Sequence, residues 1–132
     1  MKATIGHIGI NLSSKKSFQF WKDLLNYLEF KITEDGMHFD ANDGKSYLCV
    51  NVTSKKYNKE GFHRKRTGLN HLAFNVSSPK FVDQFVSEFL KPRKIQPLYG
   101  GPNEYPDYAK EYYSVYFEDY DRIKIEIVYE LT

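Results

Sequence analysis

The sequence has little cysteine, little arginine and little net charge. A single Cys in 132 residues excludes a framework of intrachain disulfides and indicates a reducing compartment, so we expect a cytoplasmic protein. The net charge is only +2, and four of the 19 basic residues are Arg. Nucleic-acid-binding proteins carry a strongly basic face, so we predict no nucleic-acid partner.

Long hydrophobic runs are absent as well. No stretch approaches the roughly 18 apolar residues of a membrane-spanning helix, and the N-terminal residues lack the pattern of a signal peptide. We therefore predict no membrane contact. The length suits one domain, residues 1–132, and hydrophobic residues make up 41% of the chain, which is typical of a globular protein.

The chain contains an internal repeat. Residues 6–14 (GHIGINLSS) align with residues 70–78 (NHLAFNVSS) at an offset of 64 residues, and the pairing continues with Trp21 and Phe85. Self-similarity over half the length indicates two copies of one supersecondary unit. We predict two modules, 1–64 and 65–132, within the single domain.

Each module is predicted to be β-α-β-β-β, which gives an α+β protein. In the first module a helix capped by Ser13 or Ser14 follows the first of the strands Ile5–Leu12, Phe30–Thr33, Met37–Ala41 and Tyr47–Thr53. In the second module the strand at 71–76 precedes a helix that begins at Pro79 and ends at Pro92. The later strands are predicted at Gln96–Tyr99, Tyr112–Glu118 and Ile123–Tyr129.

Three residues are candidates for a metal site. His7 and His71 occupy equivalent positions in the two modules, on the strand face opposite the apolar residues. Glu126 lies on the same kind of face in the last strand and completes a set of two histidines and one carboxylate, which suits a divalent metal. The alternative for Glu126 is a solvated residue paired with Lys124, and the alternation of the strand leaves both open.

The chain resembles the vicinal oxygen chelate superfamily, also called the glyoxalase/bleomycin resistance/dioxygenase family. The matching segments are residues 6–11, 70–76 and 112–126, the last containing the family's turn and ligand Glu. The resemblance implies paired β-α-β-β-β modules forming an open mixed-sheet barrel around a metal. It places His7, His71 and Glu126 on the metal positions, with Mn, Ni, Zn or Fe as the ion.

The sequence departs from two branches of that family. Lactoylglutathione lyases place a fourth ligand, a Glu, on the strand where this chain has Tyr47, Cys49 and Asn51 facing inward, so that assignment is weakened. Ser114 and Tyr116 resemble the corresponding strand of fosfomycin resistance thiol transferases, although no Arg follows Arg122. These inward-facing residues are predicted to bind substrate: Tyr47, Cys49, Asn51, Ser114 and Tyr116.

The function expected from these observations is a metal-dependent lyase, isomerase or thiol transferase acting on a small oxygen-chelating substrate. Glu126 is the predicted catalytic base as well as a metal ligand. The alternative is a metal-free drug-binding protein of the bleomycin-resistance type, whose cavity the many Tyr and Phe would form. The resemblance further implies a homodimer.

Overall fold

The computed structural model describes residues 1–131, which fold as two compact units. The first unit is Met1–Gly61 and the second runs from Phe62 onward. This boundary lies three residues before the predicted one at 64/65. The predicted second module ends at Thr132, which lies outside the described residues.

The first unit is a four-stranded mixed sheet with one helix. Its elements are β1 (His7–Leu12), α1 (Lys15–Tyr27), β2 (Lys31–Asp35), β3 (His38–Asn42) and β4 (Tyr47–Val52), followed by a 3-10 turn at Lys55–Tyr57. The sheet order is β1-β4-β3-β2, and β1 pairs with β4 in parallel while the other pairs are antiparallel. Ser14 caps α1, because its hydroxyl accepts a hydrogen bond from the Ser17 amide at 3.2 Å.

Strand alternation gives the first sheet one apolar and one polar face. Phe39 and Val50 are fully buried on the face toward α1, and α1 contributes the equally buried Trp21 and Leu25. Burying these side chains stabilises the unit by the hydrophobic effect. The residues between them, such as Asp40, therefore lie on the opposite face, away from α1.

The second unit repeats this architecture. Its elements are β5 (Leu72–Asn75), α2 (Pro79–Phe85), β6 (Asn103–Glu104), β7 (Glu111–Glu118) and β8 (Lys124–Leu131), in the sheet order β5-β8-β7-β6. After Phe85 the second helix continues as a π turn at Val86–Leu90 and a 3-10 turn at Lys91–Arg93. The apolar face of the sheet and this helix share a core that includes Phe85, Phe89, Phe117, Ile125 and Ile127.

The predicted β-α-β-β-β order and the α+β class are confirmed in both units, with one strand misplaced. Residues 96–99 were predicted to form a strand, and that prediction is wrong. Residues Leu98–Gly100 form a 3-10 turn in which Tyr99 has a left-handed φ of 59°, a conformation incompatible with an extended strand. The strand is instead Asn103–Glu104, which pairs with β7.

The length and hydropathy of the helices can be compared with those of a membrane-spanning helix. Within residues 1–131, none of them is both long enough and apolar enough to pass through a lipid bilayer.

Candidate functional site

The candidate site lies on the polar face of the second sheet. The strand registers align Ala73, Glu126 and Tyr116 across three neighbouring strands, so their side chains share one face. Glu126 is only 1% exposed although it is an acid. A buried carboxylate is costly unless specific groups compensate it, which makes this position a candidate functional site.

Two side chains meet the Glu126 carboxylate. The Tyr112 hydroxyl donates a hydrogen bond to Oε1. On the other side, His71 Nε2 lies 3.1 Å from Oε2. That second contact lacks hydrogen-bond geometry, and Oε2 makes no hydrogen bond within the described residues. One carboxylate oxygen is thus fixed by a donor, while the other is buried and faces an imidazole nitrogen.

The contact with Asn70 indicates which ring nitrogen of His71 carries a proton. Its Nδ1 lies 2.7 Å from the side-chain oxygen of Asn70, and an amide oxygen only accepts, so Nδ1 carries a proton. In the neutral tautomer protonated at Nδ1, the lone pair is on Nε2, the nitrogen that lies 3.1 Å from Oε2 of Glu126. Two lone-pair atoms 3.1 Å apart repel each other unless a cation, a proton or a metal ion, lies with them.

This donor set fits a divalent metal. A ligating histidine commonly donates its other ring N–H to an oxygen, as His71 does to Asn70, and a ligating carboxylate is itself hydrogen-bonded, as Glu126 is by Tyr112. Among residues 62–131 no further His, Cys, Asp or Glu joins the pair to make a set of three. Within the second unit, His71 and Glu126 are therefore two candidate metal ligands.

A cavity of about 780 Å³ opens over this pair. Its walls are mainly tyrosines, namely Tyr99, Tyr105, Tyr108, Tyr112 and Tyr116. The remaining lining residues are Asn70, His71, Asn103, Glu104 and Lys124. The volume is in the range of pockets that enclose whole small molecules.

The tyrosine rings support one another. Tyr105 stacks on Tyr108 with a centroid distance of 5.1 Å, and its ring meets those of Tyr112 and Tyr116 edge to face at 5.9 and 5.8 Å. These geometries are the favourable ones for aromatic pairs. The segment before β7 thereby holds two rings against two tyrosines of β7, so the wall is preassembled.

The phenols nearest the carboxylate are neutral donors. Burial, and next the hydrogen bond to Glu126, raise the pKa of Tyr112 well above its usual value. Burial is also the main cause that raises the pKa of Tyr116. Tyr99 differs, because the hydrogen bond from Lys124 lowers its pKa. The phenols of the cavity near Glu126 are therefore protonated, and the part of the cavity near Lys124 is electropositive.

The polar face of the first sheet carries a different cluster. His38 Nδ1 lies 2.8 Å from the Asn51 side-chain oxygen, and His38 Nε2 lies 3.0 Å from Asp40. Cys49 is the register partner of Asp40. Burial, and then that carboxylate, raise the pKa of the thiol, so Cys49 is a protonated thiol rather than a reactive thiolate.

The structure brings together some of the predicted site residues. His71 and Tyr116 line the cavity, and the buried Glu126 lies behind its wall in contact with His71. Ser114 is fully buried and does not line the cavity, and its hydroxyl makes no hydrogen bond within residues 1–131. The alternative of a solvated Glu126 paired with Lys124 is wrong, because Glu126 is buried and the Lys124 ammonium bonds the Tyr99 hydroxyl at 2.8 Å.

The other predicted residues lie in the first unit. The His7 ring stacks on Tyr47 at 4.7 Å, and β4 places Tyr47, Cys49 and Asn51 on the polar face of the sheet. Their predicted roles in metal and substrate binding stay predictions.

Several residues of these two faces were not predicted. Tyr112 could have been found, because it shares the strand face of Ser114 and Tyr116. The same alternation signal applies to His38 and Asp40, which flank the buried Phe39. The tyrosines of the segment before β7 carry no such signal, since loop residues have no periodicity to read.

Comparisons with known proteins decide the family. The chain is 32% identical over 126 residues to the uncharacterised Bacillus subtilis protein YqjT, covering 92% of this chain and 95% of that protein. It is 36% identical to a presumed glyoxalase from Bacillus halodurans whose crystal structure matches with a TM-score of 0.82, over 97% of this chain and 96% of the other. The chain belongs to the vicinal oxygen chelate superfamily. No protein-family sequence model matches it.

More distant superfamily members share the fold alone. A glyoxalase/dioxygenase from Nostoc punctiforme matches with a TM-score of 0.74 at 19% identity, over 98% of this chain and 92% of the other. Proteins of the vicinal oxygen chelate superfamily generally use divalent metals, and the geometry of His71 and Glu126 is compatible with metal binding.

Proposed function

We propose that the protein is a divalent-metal-dependent enzyme that acts on a small molecule bound in the tyrosine-lined cavity. The observation that carries the proposal is the buried Oε2 of Glu126, which makes no hydrogen bond within the described residues and lies 3.1 Å from His71 Nε2. Buried polar atoms in folded proteins almost always have partners. A metal ion bound by both atoms would supply the missing partner.

The neighbours of the two ligands hold them in the required states. Asn70 keeps the His71 proton on Nδ1, which leaves Nε2 free to ligate. Tyr112 occupies Oε1 of Glu126, so Oε2 is the atom that ligates or takes up a proton. Both arrangements exist without rotation of a side chain, and preorganisation of this kind keeps the cost of binding low.

The chemistry follows from this arrangement. When bound, a divalent ion would act as a Lewis acid that stabilises negative charge on a substrate oxygen. Glu126 is the proposed base, and its Oε2 would accept a proton when it is not bound to the ion. Tyr116 is protonated and adjacent, so its hydroxyl would donate a hydrogen bond to a developing oxyanion. The tyrosine wall would reduce the access of water to the reacting atoms.

The remaining parts of the proposal depend on the sequence resemblance. His7 is the proposed third ligand, and Tyr47, Cys49 and Asn51 are proposed substrate contacts. The thiol of Cys49 has a raised pKa, which argues against its use as a soft metal ligand. A homodimer is proposed on the same grounds, and a cytoplasmic location is proposed from the single Cys.

Metal binding by purified protein is the direct test. After treatment with a chelator, wild type should bind one equivalent of Mn²⁺, Ni²⁺, Zn²⁺ or Fe²⁺ in a calorimetric titration. Glu126→Gln and His71→Ala should each weaken binding by more than about 100-fold, since loss of even an outer partner of a ligand costs about 10–100-fold.

Matched controls separate ligation from general damage. Glu130→Gln alters an exposed acid of the same strand, and His63→Ala removes an imidazole whose Nδ1 accepts from the Lys65 amide. Both should bind metal like wild type. Equal metal affinity in wild type and Glu126→Gln would contradict the proposal. Stabilisation of the protein by aromatic drugs but by none of the four metals would favour the binding-protein alternative.

A further inference from the structure

We propose that the substrate is an aromatic monocarboxylate whose carboxylate binds Lys124. The inference deepens the proposed function, because it names the substrate class of the same cavity. It has its own basis, however, in the charges and rings of the cavity rather than in the metal ligands.

Lys124 is a cation of the cavity without a counter-ion. Its ammonium donates to the Tyr99 hydroxyl at 2.8 Å and lies over the rings of Tyr99 and Tyr116, 4.9 and 4.6 Å from their centroids. In the described part of the chain it forms no ion pair. Rings and a hydroxyl compensate an ammonium only in part, so the position favours an anionic ligand group.

The nearest acid in the register is already engaged. Glu118 is the cross-strand partner of Lys124, yet its carboxylate accepts a hydrogen bond from Arg64 at 2.9 Å. The same pairing partly neutralises Arg64, whose guanidinium also lies close enough to the Tyr99 hydroxyl to lower its pKa. A ligand anion at this end of the cavity therefore meets Lys124, which forms no ion pair in the described part of the chain, and Arg64, which is already paired with Glu118.

The charge of the lining favours a single negative charge on that ligand group. Glu104 lines the same cavity as Lys124 and repels additional negative charge. One ammonium and one nearby carboxylate can accept a monoanion more readily than a phosphate dianion. We infer a carboxylate rather than a phosphate or a phosphonate.

The walls indicate an aromatic body. Five tyrosines line the cavity, and aromatic rings gain both buried area and favourable edge or stacking contacts from such walls. The backbone of Tyr99 is left-handed at φ 59°, a conformation that costs about 1–3 kcal/mol for a residue other than Gly. The residue with this strained backbone is the one whose ring lies beside the Lys124 ammonium.

The strand geometry sets the length of the substrate. Lys124 and Glu126 are two positions apart on one face of β8, which corresponds to about 7 Å between their Cα atoms. A carboxylate held by Lys124 would leave the opposite end of a ring-sized molecule at the His71 and Glu126 pair. The charged end and the reacting end of the substrate are therefore different ends.

Four small probes separate the components of the proposal. Benzoate has ring and charge, benzamide has the ring alone, acetate has the charge alone, and phenylphosphonate carries a larger charge. In chelator-treated wild type, NMR titration should give benzoate the highest affinity of the four. Lys124→Met should weaken benzoate about 10-fold or more, the scale of one charge-assisted hydrogen bond, and leave benzamide unchanged.

Two further variants complete the test. Lys91→Met removes an exposed lysine from the 3-10 turn after α2 and should leave all four affinities unchanged. Lys124→Arg should retain benzoate binding. Circular dichroism verifies the fold of each variant. Equal benzoate affinity in wild type and Lys124→Met overturns the inference, as does tighter binding of phenylphosphonate or of acetate than of benzoate.

Because the titrations use metal-free protein, they fail or succeed independently of the metal proposal. Benzoate binding that depends on Lys124, in a protein that binds no metal, would support the aromatic acid site and contradict the proposed enzyme. Metal binding without benzoate binding would support the proposed enzyme and contradict the aromatic acid site.

Discussion

The polar faces of the two sheets share one backbone plan and differ in chemistry. In the first unit β4 places Cys49 beside Asp40 of β3, and in the second unit β8 places Glu126 beside Tyr116 of β7. The acid thus lies on β3 in the first unit. In the second unit it lies on β8, the strand that pairs in parallel with β5. Asp40 has a side chain that is 44% exposed, whereas that of Glu126 is 1% exposed.

This difference shows what burial requires. Asp40 has a half-exposed side chain and lies 3.0 Å from His38 Nε2, although its Oδ1 is itself buried and makes no hydrogen bond within the described residues. Glu126 has no such access to water and depends on Tyr112 and His71, so removing a partner leaves a costly group behind. The same topology therefore accommodates a half-exposed acid in one unit and a fully buried acid, the proposed base, in the other.

The largest expected effects concern the cores that the two units have in common. Trp21 and Phe85 are equivalent in the repeat and are 0% and 1% exposed. Truncation of either to Ala should reduce the free energy of unfolding by about 3–5 kcal/mol, because it removes buried aromatic area and leaves a cavity. Urea unfolding followed by circular dichroism measures both.

The control for this pair is Phe81→Ala. Phe81 belongs to α2 but is 47% exposed, so its truncation should cost under about 1 kcal/mol. A similar loss for Phe81→Ala and Phe85→Ala would mean that helix propensity, rather than burial, sets the stability of the second unit.

The shared fold could be predicted because its signals are local. Ser14 and Pro79 mark the two helix starts, and apolar alternation marks the long strands. The misplaced strand at 96–99 shows the limit of such signals. A two-residue strand such as Asn103–Glu104 has no period, and its position depends on pairing with β7, which is a tertiary effect.

Neighbouring tyrosines on β7 give a sharper test of the difference between the faces. Tyr112 donates to Glu126, and Tyr113 points to the helix side and donates to Asp83 at 2.6 Å. Tyr112→Phe should lower the divalent-metal affinity about 10–100-fold, because the Glu126 carboxylate would lose the hydrogen bond that holds it in position for a metal ion. Calorimetric titration with Mn²⁺ or Zn²⁺ measures the change.

Tyr113→Phe is the matched control, since it deletes the same hydroxyl one residue away. It should leave metal affinity unchanged and cost about 0.5–1.5 kcal/mol of stability for one hydrogen bond. Burial and Asp83 raise the pKa of Tyr113 to about 12, so the phenol keeps this bond at neutral pH. Equal metal affinity in Tyr112→Phe and Tyr113→Phe would remove Tyr112 from the site.

The candidate site was less predictable than the fold for a physical reason. The position of His71 followed from the repeat, and that of Glu126 from the family resemblance, since strand alternation alone left it open. Their partners Asn70 and Tyr112 are recognised only when the distances are known. The cavity walls, such as Tyr105, come from a segment whose placement against β7 depends on ring contacts, and no sequence period encodes those contacts.

The smallest expected effects come from the two turns that enter β4 and β8. Asp119 accepts from the amides of Asp121 and Ile123, each at 2.8 Å, and is 6% exposed. Asp43 accepts from the amides of Lys45 and Ser46 at 2.8 and 2.9 Å but is exposed. Asp119→Ala should cost about 1–3 kcal/mol and Asp43→Ala under about 1 kcal/mol, because only the first leaves a buried amide without a partner.

The Asp43 turn also predicts a dependence on pH. The backbone amides of Ser46 and Lys45 lower the pKa of this carboxyl from its ordinary 3.8, so the folded state favours the charged form. Its contribution to stability is then complete above about pH 4 and is lost as the pH falls through the lowered value. The free energy of unfolding in urea should be measured at pH 7 and at pH 3 for wild type and Asp43→Asn. It should fall less between these pH values in Asp43→Asn than in wild type. An identical loss in both proteins would mean that the exposed turn contributes nothing and that buried acids govern acid stability.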